Sequence, residues 1–385
     1  MEKPIFVLAD HQKEWSNLRP LTFTKPISSL RIGILKIHEK WEKYLNTTVK
    51  IKTCQDYLSS FNTFNNDENA FIINSSILPN KELVNEILKL NDGESLYSNG
   101  VLIASKKASS KFEIEKEYSN EIFKIDYPWD IFKLNEVAIA LDFKLITKGR
   151  KSKTLSDSNI VIGTANNIFI EESAAVEASI LNAANGYIYV GKNAEIMEAS
   201  VVRGSLAMCE NSVLKLSTKI YGATTVGPYS KVGGEINNSV IQGFSNKGHD
   251  GFLGNSVIGE WCNLGADTNN SNLKNNYGKV KSWNYEKQDY INTNLQFLGL
   301  IMGDHSKCGI NTMFNTGTVV GVFANIFGGD FPPKLIPSFA WGGTNGFTEY
   351  KFEKAMEVAN AVMSRRAKTL SESDKKILEY IFKNK

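Results

Sequence analysis

From Val190 onward an aliphatic or methionine side chain returns every six residues, eight times without a miss: Val190, Ile196, Val202, Met208, Leu214, Ile220, Val226 and Val232. A second run keeps the period through Met302, Cys308, Phe314, Val320 and Ile326. Small side chains (Ser306, Thr312, Thr318, Ala324) stand four places after its first four members, and Gly303, Gly309 and Gly321 directly follow three of those apolar residues. A period of six fits neither the roughly 3.6 residues of an α-helical turn nor plain strand alternation over such a span. It fits a coil of three short strands, each pointing one apolar side chain inward, with glycine or asparagine at corners that need φ > 0. Such coils stack about 4.8 Å apart and bury a continuous apolar column. The repeat predicts a parallel β-helix over residues 160–331.

Glycine and proline divide the rest of the chain. Of 29 glycines only Gly33, Gly93, Gly100 and Gly149 precede residue 151, and Pro228 is the single proline between Pro128 and Pro332. Residues 1–147 alternate apolar runs (Ile5–Ala9, Ala70–Asn74, residues 100–104) with helical apolar spacing at 81–90 and 129–143. That pattern predicts an α/β domain with a mainly parallel sheet. The polar residues 148–159 read as a linker. Residues 332–385 read as a helical extension. Phe352, Met356, Ala359 and Met363 share one face, and a capping box runs from Ser371 to Asp374 ahead of Ile377, Leu378 and Ile381.

Composition narrows the function. The chain has 385 residues, with 44 basic and 41 acidic side chains and a net charge of +3, a balance that does not favour nucleic acid or an anionic membrane as partner. No apolar run approaches the roughly 20 residues of a membrane span. Cys54, Cys209, Cys262 and Cys308 form no CxxC pair and read as small buried residues in a reducing compartment, which implies a cytoplasmic protein. No metal site is expected: Asp304, His305 and Cys308 lie close in sequence, but Cys308 holds an inward repeat position.

The hexads break between Asn237 and Leu253, and the break carries GFSNKGHDGFLG (residues 243–254), followed by SVIGEWCNLGADTNNSNLKNN (residues 256–276). These segments resemble the acetyltransferase half of the bifunctional N-acetylglucosamine-1-phosphate uridylyltransferase/glucosamine-1-phosphate N-acetyltransferase family. That family reads K-x-x-H-L-T-Y-L-G-D, then I-G-x-x-x-N-I-G-A-G-T, then an N-Y-D-G loop. The resemblance implies a left-handed β-helix, a homotrimer, and acetyl-CoA held between neighbouring helices. It places the catalytic histidine at His249, the substrate-contacting tyrosine at Phe252, the sugar-binding asparagines at Asn263 and Asn272, and the cofactor contacts at Gly265, Ala266, Ile310 and Thr312. Three departures stand out: Phe252 lacks a phenol, Asp267 replaces a glycine, and the family's Arg-Pro-Gly phosphate site is Lys231-Val-Gly-Gly here. Phosphate binding then falls to Lys231, Lys247 or another coil. An imidazole suits removal of an amine proton during attack on a thioester, and N–H groups beside Gly265 or Ala266 suit the oxyanion.

The uridylyltransferase half of the family opens with a strand and a glycine-rich L-x-x-G-x-G-T-x-M loop. Here residues 9–33 take its place without a glycine before Gly33, while Arg19, Lys25 and Arg31 keep the family's basic positions, and residues 127–132 resemble the end of a sugar nucleotidyltransferase domain. Two readings follow for this truncated domain. In one, Arg19, Lys25 and Arg31 hold UTP while Asp10 carries Mg²⁺. In the other, the domain binds a sugar nucleotide or only packs. The joined halves resemble a diverged, Bacteroidetes-type sugar nucleotidyltransferase with a hexapeptide β-helix. The function implied is acetyl transfer to an aminosugar 1-phosphate, with UDP-N-acetylglucosamine formed or bound by the first domain. The alternatives are nucleotidyl transfer alone, with the β-helix serving assembly, and a catalytically silent sugar-nucleotide-binding scaffold.

Overall fold

The computed structural model describes residues 4–65, 70–106 and 114–385. In the first domain a six-stranded sheet has the order Lys50–Lys52, Ile5–Ala9, Ala70–Asn74, Val101–Lys106, Glu94–Ser98, Ile114–Glu117. Ile5–Ala9 pairs in parallel with both neighbours, and Val101–Lys106 is antiparallel to the strands on either side of it. The unbroken apolar run around Phe6, Val7 and Leu8 suits a central strand covered on both faces, and all three are buried. The helix Lys81–Leu88 starts where the Asn80 side chain accepts from the Leu83 N–H, and it buries Leu83, Val84 and Ile87.

The hexads build a left-handed parallel β-helix whose three walls are sheets of six, nine and ten strands. Ile188 pairs with Leu206 and Leu206 with Thr224, so the coils of the first uninterrupted hexad run take 18 residues, three hexads. None of the eight hexad side chains from Val190 to Val232 is more than 1% exposed. The coils run on to Ala340–Gly343, past the expected end at residue 331. At the break the register shortens: Lys231 pairs with Asn246, 15 residues on. Lys247, opposite Val232, then takes an inward position that apolar residues hold elsewhere. Between Val257 and its partner Ile301 the chain leaves the coil for an excursion that includes the hairpin of Lys281–Asn284 with Asp289–Asn292.

One corner departs from the expected asparagine and glycine. Asn193 and Asn211 hold its first coils with φ near 55°, but Tyr229, Phe244, Trp261, His305, Phe323 and Phe339 follow, with φ between 54° and 62°. Stacked corners bring these rings into register, with centroid separations of 5.2, 4.3, 6.2, 4.4 and 5.3 Å in order. A left-handed conformation costs a side chain about 1–2 kcal/mol. Each aromatic pair returns about 0.5–1.5 kcal/mol beyond its burial, so the stack offsets roughly half of the strain. Phe339 ends the column against Phe352 and Phe382, and so gives the helices Phe352–Ser364 and Glu372–Lys383 a surface to dock on. The second helix begins with the expected capping box: Ser371 Oγ accepts from the Asp374 N–H at 3.0 Å, and the Asp374 carboxylate accepts from the Ser371 N–H at 3.2 Å.

His305 is the one imidazole in this column. Burial, with Lys307 and Lys25 nearby, holds its pKa well below the ordinary 6.5. The unfolded chain therefore takes up a proton near pH 6.5 that the folded protein refuses. Stability is full above that pH and falls below it, by up to about 1.4 kcal/mol per pH unit. Substituting His305→Phe keeps the stack, so the decline in melting temperature between about pH 6.5 and 5 is expected to flatten.

The first domain lies against the outer face of the nine-stranded wall, where Val240, Val257, Ile301 and Val319 share its core. Residues 10–33 supply much of the joint. Gln242 accepts from the Arg31 N–H at 2.6 Å and donates to the Arg31 carbonyl at 2.9 Å. Thr225 Oγ1 donates to the Gly33 carbonyl at 3.0 Å, and the Asn135 amide donates to the Ala223 carbonyl at 2.9 Å. Lys25 forms ion pairs of 2.8 Å with both Glu260 and Asp304 of the β-helix.

Candidate active site

The ten-stranded wall presents an outward ladder beside its inward hexads. Lys231 pairs with Asn246, Asn246 with Asn263, and Asn263 with Lys307. These side chains form the floor of a cleft of about 540 Å³, into which the exposed loop residue His249 projects from the corner. Gly265, Ala266 and Ile310 line one side, and Phe244 and Trp261 of the aromatic column line another. The end of the helix Phe352–Ser364 closes the rim with Arg365 and Arg366. Five cations, Lys215, Lys231, Lys307, Arg365 and Arg366, thus line the same cleft as the imidazole, and no carboxylate of the described residues lines it. Burial pushes Lys307 below the usual lysine range; its ammonium donates to the His305 carbonyl at 3.0 Å.

The structure therefore brings Lys231, His249, Asn263, Gly265, Ala266 and Ile310 together. Gly265 acts through its missing side chain. A Cβ there would sit 2.4 Å from the Gly309 carbonyl carbon of the next coil. Its N–H donates to the Cys308 carbonyl at 3.1 Å, whereas the Ala266 N–H has no acceptor among the described residues. Of the two expected oxyanion donors, only Ala266 is therefore open.

Four expected site residues lie elsewhere. Thr312 is buried and donates to the Gly309 carbonyl at 2.9 Å, closing a turn. Phe252 sits on the six-stranded wall over Gly254, where an added Cβ would fall 2.4 Å from its ring and 2.7 Å from the Asn272 amide. Asn272 donates to the Asn255 side chain at 2.8 Å. Lys247 is only 2% exposed and turns into the β-helix interior, because its ammonium is claimed by backbone carbonyls. It offers no charge to the cleft. Arg365 and Arg366 had no sequence signal beyond a basic pair at a helix end, which most often is merely solvated. Lys215, Lys231 and Lys307 share a legible one: each flanks an inward hexad residue.

The expected nucleotide residues are each engaged by protein. The Asp10 carboxylate accepts from Ser75 Oγ at 2.5 Å and from the Ile27 N–H at 3.2 Å, which stitches the carboxyl ends of Ile5–Ala9 and Ala70–Asn74 to the following loop. Burial raises its pKa to about 7, against the hydrogen bonds from Ser75 and Ile27. A carboxyl so enclosed, with its oxygens already accepting from Ser75 and Ile27, does not fit a Mg²⁺ ligand. Arg19 donates to the Ser16 and Tyr285 carbonyls and lies over the rings of Trp15, Phe23 and Tyr285. Lys25 is held by Glu260 and Asp304, and Arg31 is buried at the joint. The four do not converge on one pocket.

In sequence, parts of the chain are similar to known sugar nucleotidyltransferases and acetyltransferases. Residues 6–151 match the family described as sugar nucleotidyl transferase. The chain is 26% identical over 215 residues to the bifunctional sugar-1-phosphate nucleotidylyltransferase/acetyltransferase of Sulfurisphaera tokodaii, covering 55% of this chain and 46% of that one. It is 36% identical over 87 residues to the bifunctional protein GlmU of Methanocaldococcus jannaschii, covering 23% and 21%. This chain thus spans about half the length, or less, of these curated relatives. Among solved structures, the chain is similar to the polySia-specific acetyltransferase NeuO, with 15% identity, 55% of this chain and 99% of that chain covered, and a TM-score of 0.27. No helix of the described residues is long and apolar enough to cross a membrane.

Proposed function

We propose that the cleft transfers an acetyl group from acetyl-CoA to the amine of an aminosugar 1-phosphate, with glucosamine 1-phosphate the first acceptor to test. The observation that carries this reading is the set of five cations that line the cleft with His249, with no lining carboxylate among the described residues. Both substrates bring phosphate, and guanidinium and ammonium groups suit phosphate oxygens. In the reaction His249 takes a proton from the amine as nitrogen attacks the thioester carbonyl. The oxyanion forms beside the Ala266 N–H and is stabilised there. Collapse of the tetrahedral intermediate expels the CoA thiolate and leaves the amide.

Release of free thiol from acetyl-CoA in the presence of glucosamine 1-phosphate is the direct test. Arg365 and Arg366 take the place of the absent Arg-Pro-Gly phosphate site. Changing both to alanine is expected to raise KM for one phosphate-bearing substrate by about 10–100-fold, the worth of one or two charge-assisted hydrogen bonds, with a much smaller fall in kcat. An unchanged KM for both substrates would remove the two arginines from the site. The protein is expected to assemble as a trimer, which light scattering checks.

For the first domain the packing reading is favoured, because Asp10, Arg19, Lys25 and Arg31 are each committed to protein partners. Pyrophosphate release from UTP and N-acetylglucosamine 1-phosphate would overturn it.

A further inference from the structure

Lys247 is the exception in an otherwise apolar column. Its ammonium sits inside the β-helix and donates to the carbonyls of His249 at 2.8 Å, Asp250 at 3.0 Å and Gly233 at 3.4 Å. Three N–H donors thus meet three acceptors, two of them the backbone of the loop that carries His249 and its neighbour. The third belongs to the preceding coil, whose Gly233 N–H in turn donates to the Lys247 carbonyl at 2.6 Å. The loop is also pinned from outside: Gly251 has φ of 112°, and a Cβ there would lie 2.3 Å from the Thr268 carbonyl oxygen. The side of Gly248 away from the core is open. Lys247 is therefore the tie that reaches this loop from within.

A buried ammonium is a costly way to fill this space. Coils on either side fill the equivalent place with Val232 and Leu264, and no carboxylate of the described residues forms an ion pair with Lys247. Stability alone would favour an apolar side chain here. We propose that Lys247 is a positioning residue, holding the His249 loop so that the imidazole faces the acyl-transfer cleft. This rests on His249 acting as the base. Burial lowers the Lys247 pKa to about 8, with Asp250, Cys308 and Asp267 opposing the shift. Above that pH the amine loses a proton and one carbonyl loses its donor, so the loop loosens.

The test uses the full chain and Lys247→Met, since Met208 already fills an inward hexad position. Melting temperature is expected to hold or rise. Amide hydrogen exchange over residues 248–252 is expected to quicken by about 10-fold or more, and kcat for acetyl transfer to fall by about 10–100-fold with KM for acetyl-CoA little changed. The wild-type alkaline decline in kcat near pH 8 should disappear in the variant. A merely space-filling lysine would move none of these except melting temperature. Exchange and kcat at wild-type levels in Lys247→Met would overturn the proposal. Should the variant fail to fold, the wild-type protein decides. Exchange at 248–252 must accelerate between pH 7 and 9 beyond that of amides in neighbouring coils, and an equal response overturns it. Full activity in His249→Ala would instead sink the assignment of the base, while the exchange measurements still judge the tie.

Discussion

Replacing Lys25 with methionine is expected to cost the folded protein about 3–5 kcal/mol, the range for stripping one partner from a buried ionic network. Lys25 is 8% exposed and lies 2.8 Å from both Glu260 and Asp304, which are 18% and 6% exposed. Thr24 donates to the same Asp304 carboxylate at 2.5 Å, and Lys36 approaches Glu260 at 3.7 Å. Without the ammonium, two carboxylates remain in the joint with Lys36 as the nearest cation. Loss of melting temperature reports the cost. Combining Lys25→Met with Glu260→Gln and Asp304→Asn is expected to recover most of it, since no orphaned charge then remains. A single substitution that left the unfolding transition in place would show that the apolar contacts and hydrogen bonds of the joint suffice without Lys25. The network also sets an acid limit. Burial by itself would push Glu260 up, but Lys25 and Lys36 carry its pKa from 4.5 down to about 2. Its contribution is present above about pH 4.5 and is lost as pH falls towards 2.

The second large effect is on rate. His249→Ala is expected to lower kcat for acetyl transfer by about 10²–10⁴-fold, the usual worth of a positioned general base. His249 is exposed at a loop and outside the apolar column, so melting temperature should stay within a degree or so of wild type. That combination separates a catalytic role from a structural one. A change confined to KM would make His249 a binding group. Full retention of kcat would require another base, and the other polar side chains lining the cleft offer amines, guanidinium groups, amides and the Cys262 thiol, whose pKa burial pushes up to about 12.

The β-helix was legible because its period leaves few alternatives. One large apolar residue per strand is a geometric demand, and Val190 to Val232 meet it at every step. The break was legible for the same reason, and it led directly to His249. Lys247 misled because a lysine in a glycine-rich loop normally faces solvent; only the pairing of Asn246 with Lys231 shows that Lys247 falls on the inward position. The aromatic column was hidden because its members recur at irregular intervals, Tyr229, Phe244, Trp261 and then His305, as coil length changes at the break and the excursion. Arg365 and Arg366 were out of reach for another reason. Their placement depends on where a terminal helix docks, which follows from Phe339 meeting Phe352 and Phe382. In the first domain, Arg19, Lys25 and Arg31 had the right charge for phosphate, but charge does not tell a ligand from a neighbouring carboxylate or aromatic ring.

The aromatic column also has an optical consequence. Trp261 stacks on Phe244 at 4.3 Å and faces His305 at 6.2 Å, while its other surroundings include the cleft around His249. An indole so placed is a natural fluorophore whose emission senses ligand entering from one side and the state of the ring ladder on the other. With the other five tryptophans replaced by phenylalanine, filling of the cleft and undocking of the terminal helices from Phe339 can be followed as light from Trp261, without attaching a dye.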